Sequence, residues 1–215
     1  GTNRKTAASR LKTYIDPITH KTEGTNFTNS LLVGHATTGT LNASSNNTGV
    51  GIAALDALTS ADDNTAIGNS AGGAINTGNK NTLIGKNAGR AITSDGNNIG
   101  IGLDNLYTLS SGSANIAIGN YSLYETTGDN NTSIGSQSLQ EVTTGDNNIG
   151  LGKLAGDNIT SGDGNVIIGR SAGADTTLLT TGTQNIVIGP LARTSAADVN
   201  NEIVIGYFLA GGGEG

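Results

Sequence analysis

The apolar positions of this chain fall on a beat of seventeen residues, with short aliphatic clusters closed by glycine and separated by polar stretches. One phrase recurs in DNTAIGNSAG (63–72), KNTLIGKNAG (80–89), NNIGIGLDNL (97–106), ANIAIGNYSL (114–123), DNNTSIGSQSL (129–139), NNIGLGKLAG (147–156), GNVIIGRSAG (164–173) and QNIVIGPLAR (184–193). It reads Asn-x1-x2-x3-Gly. The closing glycines are Gly34, Gly51, Gly68, Gly85, Gly102, Gly119, Gly135, Gly152, Gly169, Gly189 and Gly206, eleven copies spaced by 17 except for one spacing of 16 and one of 20. Both irregular spacings fall between phrases, in TTGD (126–129) and DTTLLTTGT (175–183). Turns accept insertions and registered strands do not, so the phrase is the strand and the stretch between phrases is the turn.

A helix is excluded by the glycine in every copy and by the β-branched residues before it. Regular glycine-punctuated repeats of this length predict a parallel β-solenoid, whose coils stack on one another. Strand alternation puts x1 and x3 on one face and x2 on the other. The expectation is that x1 and x3 point into the coil. The expected core column at x3 is Ile67, Ile84, Ile101, Ile118, Ile134, Leu151, Ile168, Ile188 and Ile205. The small x2 residues would then admit a neighbouring chain. A second short strand is expected near Ala88-Gly89, Ser122-Leu123 and Ser138-Leu139. Asn47, Asn64, Asn81, Asn98, Asn115, Asn131, Asn148, Asn165 and Asn185 occupy equivalent places, so their amides should form a ladder about 4.8 Å per step. The repeat glycine suits a corner that needs positive φ or leaves no room for a Cβ.

Composition sharpens this picture. Aromatics are 3%, Cys, Met and Trp are absent and Gly supplies 34 residues, too little large apolar volume for a two-layer globular domain. Disorder is opposed by low charge (13%), only 2 prolines and the fixed aliphatic beat. A net charge of -6 argues against nucleic acid, and no run approaches the 18 apolar residues of a membrane span. The absence of cysteine removes disulfides and thiolate metal sites. The chain shows no signal peptide and no initiator Met, which is expected of a processed chain or a fragment. Residues 1–30 lack the phrase and are expected to be a connector or N-terminal cap, 31–210 the solenoid and 211–215 a Gly-rich end. A coil of this size encloses a thin core, so association of identical chains, as a homotrimer, is expected to add buried area. Eleven rungs would make a rod of roughly 50 Å.

The phrases DNTAIGNSAG, KNTLIGKNAG and NNIGLGKLAG resemble two related groups. One is the head of trimeric autotransporter adhesins, whose similar phrase repeats at a shorter period. The closer is the repeat region of bacteriophage tail fibres, often followed there by an endosialidase-type intramolecular chaperone. The stretch NNEIVIGYFLAGGG (200–213) looks like the last coil before such a chaperone. The resemblance covers about residues 30–210. It implies a left-handed coil and a trimeric state.

Candidate chemistry on the rod is sparse. His20 and His35 accompany no nucleophile arrangement. Glu125 and Glu141 lie at equivalent places on adjacent rungs, as do Asp129, Asp146 and Asp163 in successive turns. Such columns could serve as acid and base or gather a cation, yet turns accept Asp for conformational reasons alone. No catalytic residue, cofactor or metal ligand is therefore expected. Tyr107 and Tyr124 stand one rung apart with Tyr121 nearby, and are the candidate glycan contacts. An ice-binding face is disfavoured, because no Thr-x-Thr recurs in register. The expected function is a non-enzymatic structural and adhesive segment of a trimeric tail fibre or similar virion appendage, at the virion or a cell surface, touching host glycans. The alternatives are a bacterial adhesin head and, further off, a polysaccharide depolymerase spike.

Overall fold

A computed structural model describes residues 20–21, 27–34, 43–174 and 179–207. Most of the expected N-terminal connector, His35, the 211–215 end and part of the 175–183 insertion lie outside those residues. Among the described residues the protein is all-β, a parallel β-solenoid of about ten turns. Its strands are β1 (His20–Lys21), β2 (Phe27–Thr28), β3 (Leu31–Val33), β4 (Ser44–Ser45), β5 (Thr48–Val50), β6 (Thr65–Ile67) and β7 (Thr82–Ile84). They continue as β8 (Ile99–Ile101), β9 (Ile116–Ile118), β10 (Thr132–Ile134), β11 (Ile149–Leu151), β12 (Val166–Ile168), β13 (Ile186–Ile188) and β14 (Ile203–Ile205). One sheet runs β1-β3-β5-β6-β7-β8-β9-β10-β11-β12-β13-β14, and β2 pairs with β4 in a second. From β3 onward each pairing in the large sheet is parallel and in repeat register, as in Thr132↔Ile149 and Ile134↔Leu151. Strand β1 is the exception: it lies antiparallel on β3.

The face assignment is the reverse of the sequence expectation. Position x2 points into the coil: Leu32, Ala66, Leu83, Ala117, Ser133, Ile167 and Val187 are buried. The x3 column of Ile67, Ile84, Ile101, Ile118, Ile134, Leu151, Ile168, Ile188 and Ile205 points out, with Ile67, Ile101, Ile134 and Ile205 exposed and Ile84, Ile118, Leu151, Ile168 and Ile188 partly so. Volume explains the reversal. A coil has room for one strand side chain per rung, because the opposite wall already contributes three. These are the third, fourth and seventh residues after the repeat glycine, such as Ala71, Gly72 and Ile75, or Ser138, Leu139 and Val142. Two large residues per strand would overfill that space.

Sizes inside the coil compensate from rung to rung. Where x2 is Gly49, Gly100, Ala117 or Ser133, the facing wall supplies Leu55, Leu106, Leu123 or Leu139. Where x2 is Leu83, the wall supplies Gly89, and a Cβ there would sit 2.7 Å from a Leu83 methyl. The facing wall is not a second strand, which corrects the expectation near Ala88, Ser122 and Ser138. It is a run of turns in which the second and fourth residues after the glycine adopt left-handed φ, such as Tyr121 (58°) and Leu123 (47°). Those N–H groups bond to neighbouring rungs, Tyr121 N to Leu103 O (2.9 Å) and Leu123 N to Ser138 O (3.2 Å).

Two columns hold the rungs in register. The buried Asn115 accepts the Asn131 N–H at Oδ1 (2.9 Å), its own N–H donates to Asn98 Oδ1 (3.0 Å), and its Nδ2 donates across the coil to Gly128 O (2.8 Å). The same pattern joins Asn47 to Asn64 and Asn64 to Asn81, and runs on through Asn148, Asn165 and Asn185. The repeat glycines form the second column. Gly152 has φ 133°, and a Cβ on it would lie 2.7 Å from Gly169 O, so both conformation and space require glycine there.

Asn115→Ala would remove the partners of the buried Asn131 N–H and of the Gly128 carbonyl. It should lower stability by about 2–4 kcal/mol in a denaturant titration, whereas Asn69→Ala on the exposed side should change it by no more than about 0.5 kcal/mol.

Candidate functional site

The candidate surface lies on the turn wall, and the solenoid beat builds it. The fifth residue after each repeat glycine forms an outward column: Asp56, Gly73, Arg90, Tyr107, Tyr124, Gln140 and Asp157. Tyr107 and Tyr124 stack with centroids 5.1 Å apart and planes 5° apart. Tyr121 leans on Tyr124 at 5.7 Å and 55°. The Arg90 guanidinium lies over Tyr107, 5.5 Å from its centroid, and Nη1 donates to the Tyr107 hydroxyl at 2.9 Å. The structure thus brings all three sequence-flagged tyrosines together, but Tyr107 has one face on Tyr124 and the other on Arg90. A sugar would meet its edge rather than its face. The Tyr124 hydroxyl is held above its ordinary value by burial, and then by Tyr107, Asp104, Glu125 and Tyr121.

Next to this stack the column is interrupted. Gly73 places no side chain between Asp56 and Arg90, and the gap is a recess of about 420 Å³ lined by Ala53, Asp56, Ser70, Gly73, Arg90 and the Ala74–Ala91 floor. Its volume falls within the range of small-ligand sites. Sequence reasoning missed Arg90 and the recess. The signal was present in the register, since Arg90 stands five residues after Gly85 as Tyr107 does after Gly102.

The acidic columns divide in role. Asp163 Oδ1 accepts the Asp146 N–H (2.8 Å), Asp146 Oδ1 that of Asp129 (2.7 Å) and Asp129 Oδ1 that of Ser113 (2.7 Å). These carboxylates tie one turn to the next, in the direction opposite to the asparagine ladder. Among the described residues no group of three or more His, Asp or Glu converges as a metal site would. Glu141 donates its backbone N–H to Asp157 O (3.1 Å). The Asp157 carboxyl is pushed up from 3.8 to about 6, first by its partial burial and then by Glu141, although the Asn158 amide donates to it at 2.7 Å.

The class that these features define is a parallel β-solenoid repeat protein with an exposed aliphatic sheet face and a polar, aromatic turn wall. No family model, curated protein or solved structure matches the chain.

The folded protein holds the Asp157 proton more tightly than the unfolded chain does, so protonation stabilises it. That stability is fully present below about pH 4 and is lost as pH rises through about 6. Asp157→Asn keeps the shape and removes the charge. It should raise the melting temperature at pH 7.5, after allowance for solvent screening, by on the order of 2–4 °C and flatten the slope of melting temperature against pH between 4 and 6.

Proposed function

We propose that this chain is a stiff structural and adhesive segment of a homotrimeric fibre, a phage tail fibre or similar virion appendage that projects toward host surface glycans. One observation carries the reading: the outward sheet face. Its two columns run Leu31, Thr48, Thr65, Thr82, Ile99, Ile116, Thr132, Ile149, Val166, Ile186 and Ile203 beside Val33, Val50, Ile67 and the remaining x3 residues. Every member is aliphatic or Thr, and none is charged. The strip measures roughly 50 Å by 10 Å, as large as the biggest apolar patch of an ordinary monomer.

A partner suited to that strip must be apolar, flat, and periodic at the same 4.8 Å step. A second copy of the chain meets all three conditions at once, because its own strip repeats in register. Three copies around an axis close the assembly without leaving a strip open. Stacked rungs, each fixed by buried hydrogen bonds, give the stiffness that a projecting shaft needs. The turn walls would then face outward, with the tyrosines and the recess on the accessible side. The resemblance of the repeat phrase to tail-fibre repeats supports the same reading. The Asp129, Asp146 and Asp163 column, already engaged as hydrogen-bond acceptors, lends little to a depolymerase.

Size-exclusion chromatography with light scattering should return three times the chain mass of 21.4 kDa. Ile118→Asp places a charge on the strip and should give a monomer whose β circular dichroism is unchanged. Ala117→Asp places the charge inside the coil and should unfold it. A wild-type monomer, or an Ile118→Asp protein that assembles normally, would contradict the proposal.

A further inference from the structure

We infer that the recess between Asp56 and Arg90 is a binding subsite for one carboxylate-bearing sugar residue, such as a uronic acid. The inference rests on the reading of the rod as a glycan-facing segment and names the glycan class that it takes.

The recess exists because of a single register position. Gly73 interrupts a column whose neighbours on either side carry Asp56 and Arg90, two rungs or about 10 Å apart. Its walls are therefore two charged groups of opposite sign, its floor is the small apolar surface of Ala53, Ala74 and Ala91, and Ser70 adds a hydroxyl. A sugar ring offers the complementary surfaces: an apolar C–H face for the alanine floor and a hydroxyl for Ser70.

Arg90 decides the class. Its guanidinium rests on Tyr107, with one of its five N–H groups donated to the tyrosine hydroxyl. The stack on Tyr107, itself backed by Tyr124, holds the guanidinium in place before a ligand arrives, so little rotamer entropy remains to be lost. A planar guanidinium with unspent parallel N–H groups matches a carboxylate in bidentate geometry. A neutral sugar leaves that capacity unused. Asp56, which has contacts of its own within the protein, forms the opposite wall of the recess. A sugar ring that carries one carboxylate, set against Arg90, is the ligand that the recess fits.

The test uses the full chain and two probes, methyl β-glucuronide and methyl β-glucoside, with binding followed by ligand-observed NMR and calorimetry. The glucuronide should bind saturably, and the glucoside at least about tenfold more weakly. Arg90→Gln should abolish that preference, and Arg90→Lys should restore little of it, because an ammonium lacks the planar fork. Equal binding of both probes, or an Arg90→Gln protein that keeps the preference, would overturn the assignment, as would no binding of either probe. Light scattering on the same samples separates the two proposals. A trimer indifferent to the glucuronide would sink the subsite and leave the fibre, whereas a monomer that binds the glucuronide through Arg90 would sink the fibre and leave the subsite.

Discussion

The buried asparagine ladder is the constraint from which the rest of this structure follows. Each amide accepts a backbone N–H from the next rung, that of an asparagine except at Asn185, which accepts from Glu202, and donates across its own coil to a carbonyl, as Asn148 does to Gly162 O at 2.8 Å. These amides are buried, so slipping a rung by one residue would strand several polar groups at once. The ladder therefore fixes both the period and the closure of the coil. The repeat glycines complete it, since successive rungs approach so closely at Gly85, Gly102 and Gly119 that a Cβ there would meet the next carbonyl. Polar contacts rather than apolar volume set the register, and this is how a chain with so few large residues forms a defined core.

Function on such a scaffold is a matter of columns. A residue placed once has no neighbour of its own kind, whereas a residue placed at equivalent positions makes a line along the rod. The x1 and x3 columns make the aliphatic strip, and the fifth-residue column makes the Arg90–Tyr107–Tyr124 stack and the gap at Gly73. Different faces of one coil can thus carry different chemistry without any change in the fold that supports them. The interior of the middle rungs shows how little constraint falls on composition once register is fixed. There Ser122 and Ser133 share a hydrogen bond of 2.6 Å where other rungs pack Ala or Leu.

Much of this was legible in the sequence. The spacing of Gly51 through Gly206 carries the period, the strand phrase and the stacking of coils, because only a repeating coil keeps such a beat through one deletion and one insertion. The recurring asparagines pointed to a ladder for the same reason. Which face of the strand is inside was not legible. Alternation along Thr65-Ala66-Ile67 separates two faces but is symmetric between them, and the usual preference for large residues inside misleads where the opposite wall has already filled the space. The turn wall differs from the strand expected near Ser122-Leu123 and Ser138-Leu139 because the left-handed φ values of Tyr121, Leu123, Gln137 and Leu139 let successive N–H groups bond to the rungs on both sides, as Tyr121 does to Leu103 O and Leu123 to Ser138 O. The recess at Gly73 escaped notice because an absent side chain leaves no motif.

The stacked-rung account is tested most directly by distances along the rod. The chain has no cysteine, so spin labels can be placed at will. Lys86, Lys153 and Arg170 each follow a repeat glycine. Labels at Lys86→Cys with Lys153→Cys, and at Lys86→Cys with Arg170→Cys, in chains diluted with unlabelled protein, should give narrow distributions centred near roughly 19 Å and 24 Å, four and five rung spacings. Distances that fail to grow by one rung step per repeat, or broad distributions for both pairs, would contradict the account.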